Sequence, residues 1–314
     1  VMASTLALSA KCASAAEFVQ LRVGGAGQSS WSYSCAVAIS EAIKHVDPDM
    51  DLIVQATPGS TNHYGLFETG DLDAGTGYTP TDYWANEGKP PLFDKPLAGV
   101  YYTIAPITIS KTHVVVRADS KVKTLTDLNG KKVYLGDPGA ASTQMAIALI
   151  ELLGIKCNPI QTARTEGFEM LKDGRVDVLI QSQGTPYASI IELATATDIR
   201  FIPFSDGELK KCIESGPYCF AGEILPSEYS FVKEPVKTLT QVQNINVRAT
   251  LEDDVVYRLT KDIAECWDEV VKVVPAAGKV NPLKDATMTI AKLHPGAIKY
   301  YEENGVAIPA GLKP

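Results

Sequence analysis

The chain has 314 residues, a formal charge of −8 at pH 7, 45% hydrophobic residues and 21% charged residues. That length suggests roughly two domain-sized units, and the ordinary apolar content excludes disorder as the overall state. The acidic balance, with no block of Lys and Arg, argues against nucleic acid, which needs a clustered basic surface. No apolar run approaches the ~20 residues that cross a bilayer.

Residues 1–10 are small, apolar and uncharged, and Ala13-Ser14-Ala15 fits the A-x-A pattern of a signal-peptidase site. Residues 1–16 are therefore expected to be the remnant of a secretory signal, cleaved near Ala15 or Ala16. The mature chain would start near Glu17 and be exported to the periplasm. Cys12 does not fit a lipoprotein anchor, because Lys11 stands where a small residue belongs.

Residues 18–23 alternate and run into Gly24-Gly25-Ala26-Gly27, predicting a strand that feeds a glycine turn. Residues 31–43 have helical spacing. A second strand is predicted at 52–54, followed by Thr57-Pro58-Gly59-Ser60-Thr61 and a helix to Glu68, and a third strand at 72–75. The same pattern restarts with a strand at 114–116 and a short helix at 126–130. A strand at 132–136 then enters Asp137-Pro138-Gly139, and a helix over 142–153 stops at Gly154. Residues 176–180 and 199–202 predict further strands, and 253–274 and 287–301 predict helix. This alternation indicates an α/β fold with a parallel sheet and helices on its faces. Two such units suggest two lobes across a cleft, joined by extended crossings at 101–104 and 245–248. The expected boundaries are 17–106 plus 245–314 for lobe I and 107–244 for lobe II.

Three strand-to-helix turns hold the chemistry: residues 24–30, 57–61 and 136–143. Each combines glycine with small hydroxyl residues. Glycine lets backbone approach a ligand, and the first amides of a helix lack intrahelical partners, so each turn can hold an anion. Any single Ser or Thr there can equally be a plain helix cap. Three turns at the ends where open α/β sheets bind ligands favour a binding site. Ser60, Ser142 and Thr143 are the first candidates, with Thr61 beside them and Gly139, Ala140 and Ala141 supplying backbone. Gln28, Ser29 and Ser30 follow. Trp31 either flanks the ligand or begins the buried face of its helix. Tyr78 either covers the cleft or lies on the surface, and Gln181 and Gln183 face the cleft from the second lobe. No arginine falls in the three turns, so anion binding is expected to rest on amides and hydroxyls.

Catalytic patterns are absent from the sequence. His45, His63, His113 and His294 sit in different elements, no G-x-S-x-G elbow occurs, and neither the dinucleotide fingerprint nor the P-loop is complete. No CxxC, HExxH or close Cys/His cluster suggests a metal, and no cofactor is expected. Cys212 and Cys219 are spaced for a disulfide in an oxidising compartment or are two free thiols. Cys35, Cys157 and Cys266 lie in apolar helical patterns and are expected to be inert.

Six segments occur in an order typical of one family. They are Gly59-Ser60-Thr61-Asn62-His63, Thr69-Gly70-Asp71-Leu72-Asp73, residues 125–133 (LTDLNGKKV), Gly136-Asp137-Pro138-Gly139, residues 172–177 (KDGRVD) and residues 294–305 (HPGAIKYYEENG). In these the chain resembles the TAXI solute-binding proteins of tripartite ATP-independent periplasmic (TRAP) transporters, over nearly all of its mature length. The resemblance implies a type II periplasmic binding protein, two α/β lobes joined by hinge strands with the ligand cleft between them. It implies a non-enzymatic receptor, monomeric, that captures glutamate, glutamine or a 2-oxoglutarate-like dicarboxylate and delivers it to TRAP membrane subunits. Two departures stand out: Ala140-Ala141-Ser142 follows Gly139 where the family has G-S-G-T after the proline, and His63 stands where asparagine is common. Other families put the same two-lobed fold to sensory or enzymatic use, which is the alternative function.

Overall fold

The computed structural model describes residues 17–28 and 30–314; the expected signal remnant and Ser29 lie outside the described residues. The chain opens with β1 (Val19–Gly24), α1 (Trp31–Val46) and β2 (Met50–Gln55). A 3-10 turn at Ser60–Asn62 leads into α2 (His63–Thr69), then β3 (Ala74–Tyr78) and α3 (Thr79–Glu87). The next strand, β4 (Tyr101–Arg117), unites the crossing at 101–104 and the strand at 114–116 in one 17-residue element. The second unit comprises β5 (Lys132–Gly136), α4 (Ala141–Leu153), β6 (Asn158–Gln161), α5 (Arg164–Lys172), β7 (Val178–Gly184), α6 (Ala188–Ala196), β8 (Ile199–Phe201), α7 (Asp206–Glu214) and β9 (Phe220–Ile224). The chain returns through β10 (Val236–Arg248) and ends in α8 (Asp253–Val273) and α9 (Pro295–Glu303).

The sheet is mixed rather than wholly parallel, with the order β2-β1-β3-β10-β4-β7-β5-β6. The flanks β2-β1-β3 and β7-β5-β6 are parallel, as βα connections require. Between them β4 and β10 run antiparallel to each other and to their outer neighbours. These two long strands belong to both lobes, and each carries the chain from one to the other. Their ladder slips where Gln243 pairs with Thr108 but Asn244 pairs with Pro106, leaving Ile107 as a bulge.

Helical periodicity explains the packing of the first lobe. On α8, Val256, Leu259, Ile263, Cys266, Trp267 and Val270 recur every three to four positions and are all buried. They meet Cys35, Ile39 and Ile43 of α1 in one core, each large aliphatic side chain contributing about 1.5–3 kcal/mol of burial free energy. A helix over 287–301 does not form as expected. Helix α9 begins only at Pro295, whose fixed φ suits the first helical position, and His294 caps it by accepting from the Gly296 amide. A second core joins Tyr64, Phe67 and Trp84 of the first lobe to Val133, Met145 and Leu149 of the second. Tyr83 stacks on Tyr218 at 5.1 Å, and the Thr79 hydroxyl donates to the Tyr218 carbonyl at 2.9 Å. The lobes are therefore closed on one another.

Candidate functional site

The three turns converge between the lobes, and each delivers its donors differently. The β1 turn enters α1 through Ser30, whose hydroxyl accepts from the Tyr33 amide at 3.0 Å and so caps the helix. The β2 turn bends at Gly59 into a 3-10 turn that buries Ser60. The β5 turn passes Gly139 with φ of +80°, a left-handed conformation that favours glycine. Helix α4 then starts on Ala140, which has no side chain able to cap it. Among the described residues, the amides of Ala141 and Ser142 and the Ser142 hydroxyl therefore make no hydrogen bond, although Ser142 is only 8% exposed. Unpartnered donors at the positive end of a 13-residue helix suit a negative charge.

These elements line a cavity of about 40 Å³. Ala26, Ser30, Ser32, Ser60, Gly77, Tyr78 and Gln243 line it on one side, and Ala140, Ala141, Ser142, Arg164, Ser182 and Gln183 on the other. The turns touch directly above it: the Thr61 hydroxyl donates to the Gly139 carbonyl at 2.6 Å. Gly59 leaves no room for a side chain, since a Cβ there would lie 2.7 Å from the Gly139 carbonyl carbon.

Arg164 was not anticipated from sequence. It is the first residue of α5, 5% exposed, and it reaches the cavity wall. Asp137 fixes it: one carboxylate oxygen accepts from the Arg164 amide and the other from Nη2, each at 2.7 Å. Burial opposes the charge, but the surroundings of Tyr187 and Asp137 outweigh it and the guanidinium stays protonated. The cavity wall therefore carries a cation in addition to the amides and hydroxyls that the turns supply. No local pattern marks it in the sequence, because what brings it to the Asp137 turn is a pairing across 27 positions.

Hydroxyls and amides of the long strands complete the wall. Ser32 donates to Gln243 Oε1 at 3.0 Å, and Gln243 Nε2 donates to Ser110 at 2.6 Å. Tyr78 donates to Gln241 at 2.8 Å, and Ser182 shares a hydrogen bond of 2.9 Å with Thr112. Ser32, Ser182 and Gln243 were not anticipated from sequence.

Of the anticipated residues, Ser30, Ser60, Tyr78, Ala140, Ala141, Ser142 and Gln183 line the cavity. Gly139 and Thr61 form the contact above it. Thr143 turns inward and donates to the Asp137 carbonyl at 2.7 Å, bracing the turn. Gln181 lies beneath that turn, donating to Leu135 and Ile180 carbonyls. Trp31 is in the core of the first lobe, and Gln28 is exposed beside a groove between α1 and α8. His63 lies behind the cavity, its Nδ1 on the Thr76 carbonyl at 3.0 Å and its Nε2 on the Thr57 hydroxyl at 2.8 Å. Burial lowers its pKa to about 4, so the ring is neutral. Cys212 and Cys219 are both buried free thiols rather than a disulfide; the Cys219 thiol donates to the Cys212 carbonyl at 3.5 Å.

Among solved structures, the chain is similar to XAC2383 from Xanthomonas citri bound to chloride ion, at 12% identity and a TM-score of 0.50, covering 90% of this chain and 95% of that one. It is similar to a TctC solute binding protein from Polaromonas at 14% identity and a TM-score of 0.50, covering 82% and 88%. A third is a structure addressing glutathione import via GshT and the cystine ABC importer TcyBC of Streptococcus mutans, at 12% identity and a TM-score of 0.53, covering 84% and 96%. At such identities the likeness is one of fold: the two-lobed architecture of periplasmic binding proteins. No helix among the described residues is long and apolar enough to cross a membrane. The NMT1-like family matches residues 23–305, and the chain belongs to that family.

Proposed function

We propose that the protein is an exported, monomeric solute receptor that captures a small organic anion between its lobes and delivers it to TRAP transporter membrane subunits. The resemblance to TAXI proteins makes glutamate, glutamine and 2-oxoglutarate-like acids the first ligands to test. The observation that carries the proposal is the cavity where the unpartnered α4 amides and the Ser142 hydroxyl meet buried Arg164. Charge-assisted hydrogen bonds to a carboxylate contribute about 1.5–3 kcal/mol each, enough for capture with two or three of them.

Release requires opening, and we place the hinge at 106–107 and 244–245. The bulge at Ile107 and the ladder slip at Gln243–Asn244 support this, since a broken ladder bends more readily than a continuous one. Lobe I is then 17–106 with 245–314, and lobe II is 107–244. The test is a thermal-shift screen of organic acids against their neutral amides and esters. An acid that stabilises the protein while its neutral analogue does not is the expected result. Stabilisation by neutral or cationic solutes alone would refute anion capture. Vesicles carrying the TRAP membrane subunits should then accumulate that acid only when the protein is added.

A further inference from the structure

We infer that the captured acid carries no amino group: the site takes small carboxylates such as 2-oxo and 2-hydroxy acids and rejects the matching amino acids. This rests on the proposed capture of an organic anion and narrows its ligand class.

Among the described residues, the cavity wall contains one full cation and no carboxylate. Its charged member is Arg164, and its remaining polar members are hydroxyls, amides and the Tyr78 phenol. The residues outside the described part, 1–16 and Ser29, contain no Asp or Glu that could supply one. Asp137, the acid beside Arg164, is not in the wall, and each of its oxygens already accepts from Arg164. The helix ends add to the imbalance. Both α1 and α4 point their N-termini at the cavity, through Ser30 and through Ala141 and Ser142, and each contributes positive partial charge.

A zwitterion entering this space would place its carboxylate well and its ammonium badly. An ammonium buried without an anionic partner loses its hydration and gains only neutral acceptors. Here it would also meet the Arg164–Asp137 pair from its cationic side, together with two helix N-termini. A 2-oxo or 2-hydroxy group has no such cost. Gln183 and Ser182 can donate to a keto oxygen, and Gln183 can also accept from a hydroxyl.

The test is calorimetric titration of the wild-type protein with matched pairs: 2-oxoglutarate against glutamate, and pyruvate or lactate against alanine. At least one amine-free acid should bind at least a hundredfold more tightly than its amino partner. Equal or tighter binding of the amino acid in the best-binding pair overturns this inference while leaving anion capture intact. If no member of any pair binds, anion capture itself fails, and this inference with it. A second measurement uses Gln183→Glu, which puts a carboxylate on the wall. It should weaken the amine-free acid at least tenfold and narrow the gap to the amino partner. An unchanged ratio in that variant, with the oxo acid still bound, counts against the electrostatic cause.

Discussion

Closure over the cavity depends on how nearly two turns approach, and Gly59→Ala tests it. The Gly59 backbone is extended, with φ of 172°, so alanine adopts it without strain. What alanine cannot do is coexist with the closed state. Its Cβ would stand 2.7 Å from the Gly139 carbonyl carbon and 3.1 Å from Ala140 Cα. Carbon atoms pack at about 3.5–4.0 Å, so the turns must part by roughly 1 Å. The 2.6 Å hydrogen bond from Thr61 to Gly139 then lengthens beyond useful range, at a cost of about 1 kcal/mol. The amides of Ala141 and Ser142 withdraw from the ligand by a similar distance, weakening their bonds as well. Together these changes should raise Kd by roughly tenfold to a hundredfold, or about 1.4–2.8 kcal/mol. Calorimetry with the best-binding acid gives the affinity, and X-ray scattering gives the compaction on binding. Unaltered affinity and full compaction in Gly59→Ala would refute the role assigned to this contact.

Ser142→Ala should weaken the ligand about tenfold while leaving the melting temperature of the free protein within a degree or two, because Ala140 and not Ser142 stands at the helix cap; a lowered melting temperature with unchanged Kd would make Ser142 a structural residue. His63 and His113 are buried and neutral, with burial lowering each pKa from 6.5 to about 4. The unfolded chain binds their protons first, so the stability they confer is present above about pH 6.5 and is lost as pH falls toward 4. Each should contribute a slope of up to about 1.4 kcal/mol per pH unit in that window, and a melting temperature that stays flat from pH 7 to 5 would contradict it. Burial pushes the Cys212 and Cys219 thiols up to about 11 and about 12. Both should resist alkylation in the native protein at pH 8 and react without reductant once unfolded; a linked peptide on non-reducing mapping would show a disulfide instead.

Local signals made much of this fold legible. The run Val133-Tyr134-Leu135-Gly136, the turn Asp137-Pro138-Gly139 and a dozen helix-forming residues gave β5, its turn and α4 nearly to the residue. β4 was harder, since Thr108, Ser110 and Lys111 interrupt its apolar pattern. Those polar side chains are buried only because the strand passes between two lobes, where Lys111 pairs with Glu228 at 2.7 Å. The site divides the same way. Ser60, Ser142 and the alanines after Gly139 were readable because helix N-termini announce themselves in sequence. Arg164 and Gln243 were not, because what brings them to the cavity is pairing with Asp137, 27 positions away, and with Ser32, 211 positions away. Trp31, Thr143 and Gln181 occupy the right turns and strand but direct their side chains into the core, the turn or the layer below, which composition does not reveal.

The most direct test of anion capture is a crystal structure with the acid that gives the largest thermal shift. Its carboxylate should lie within hydrogen-bond distance of the Ala141 and Ser142 amides and of the Arg164 guanidinium, between closed lobes. An acid bound instead in the groove of Val37, Ala38 and Val273 between α1 and α8, with this cavity holding only water, would contradict it.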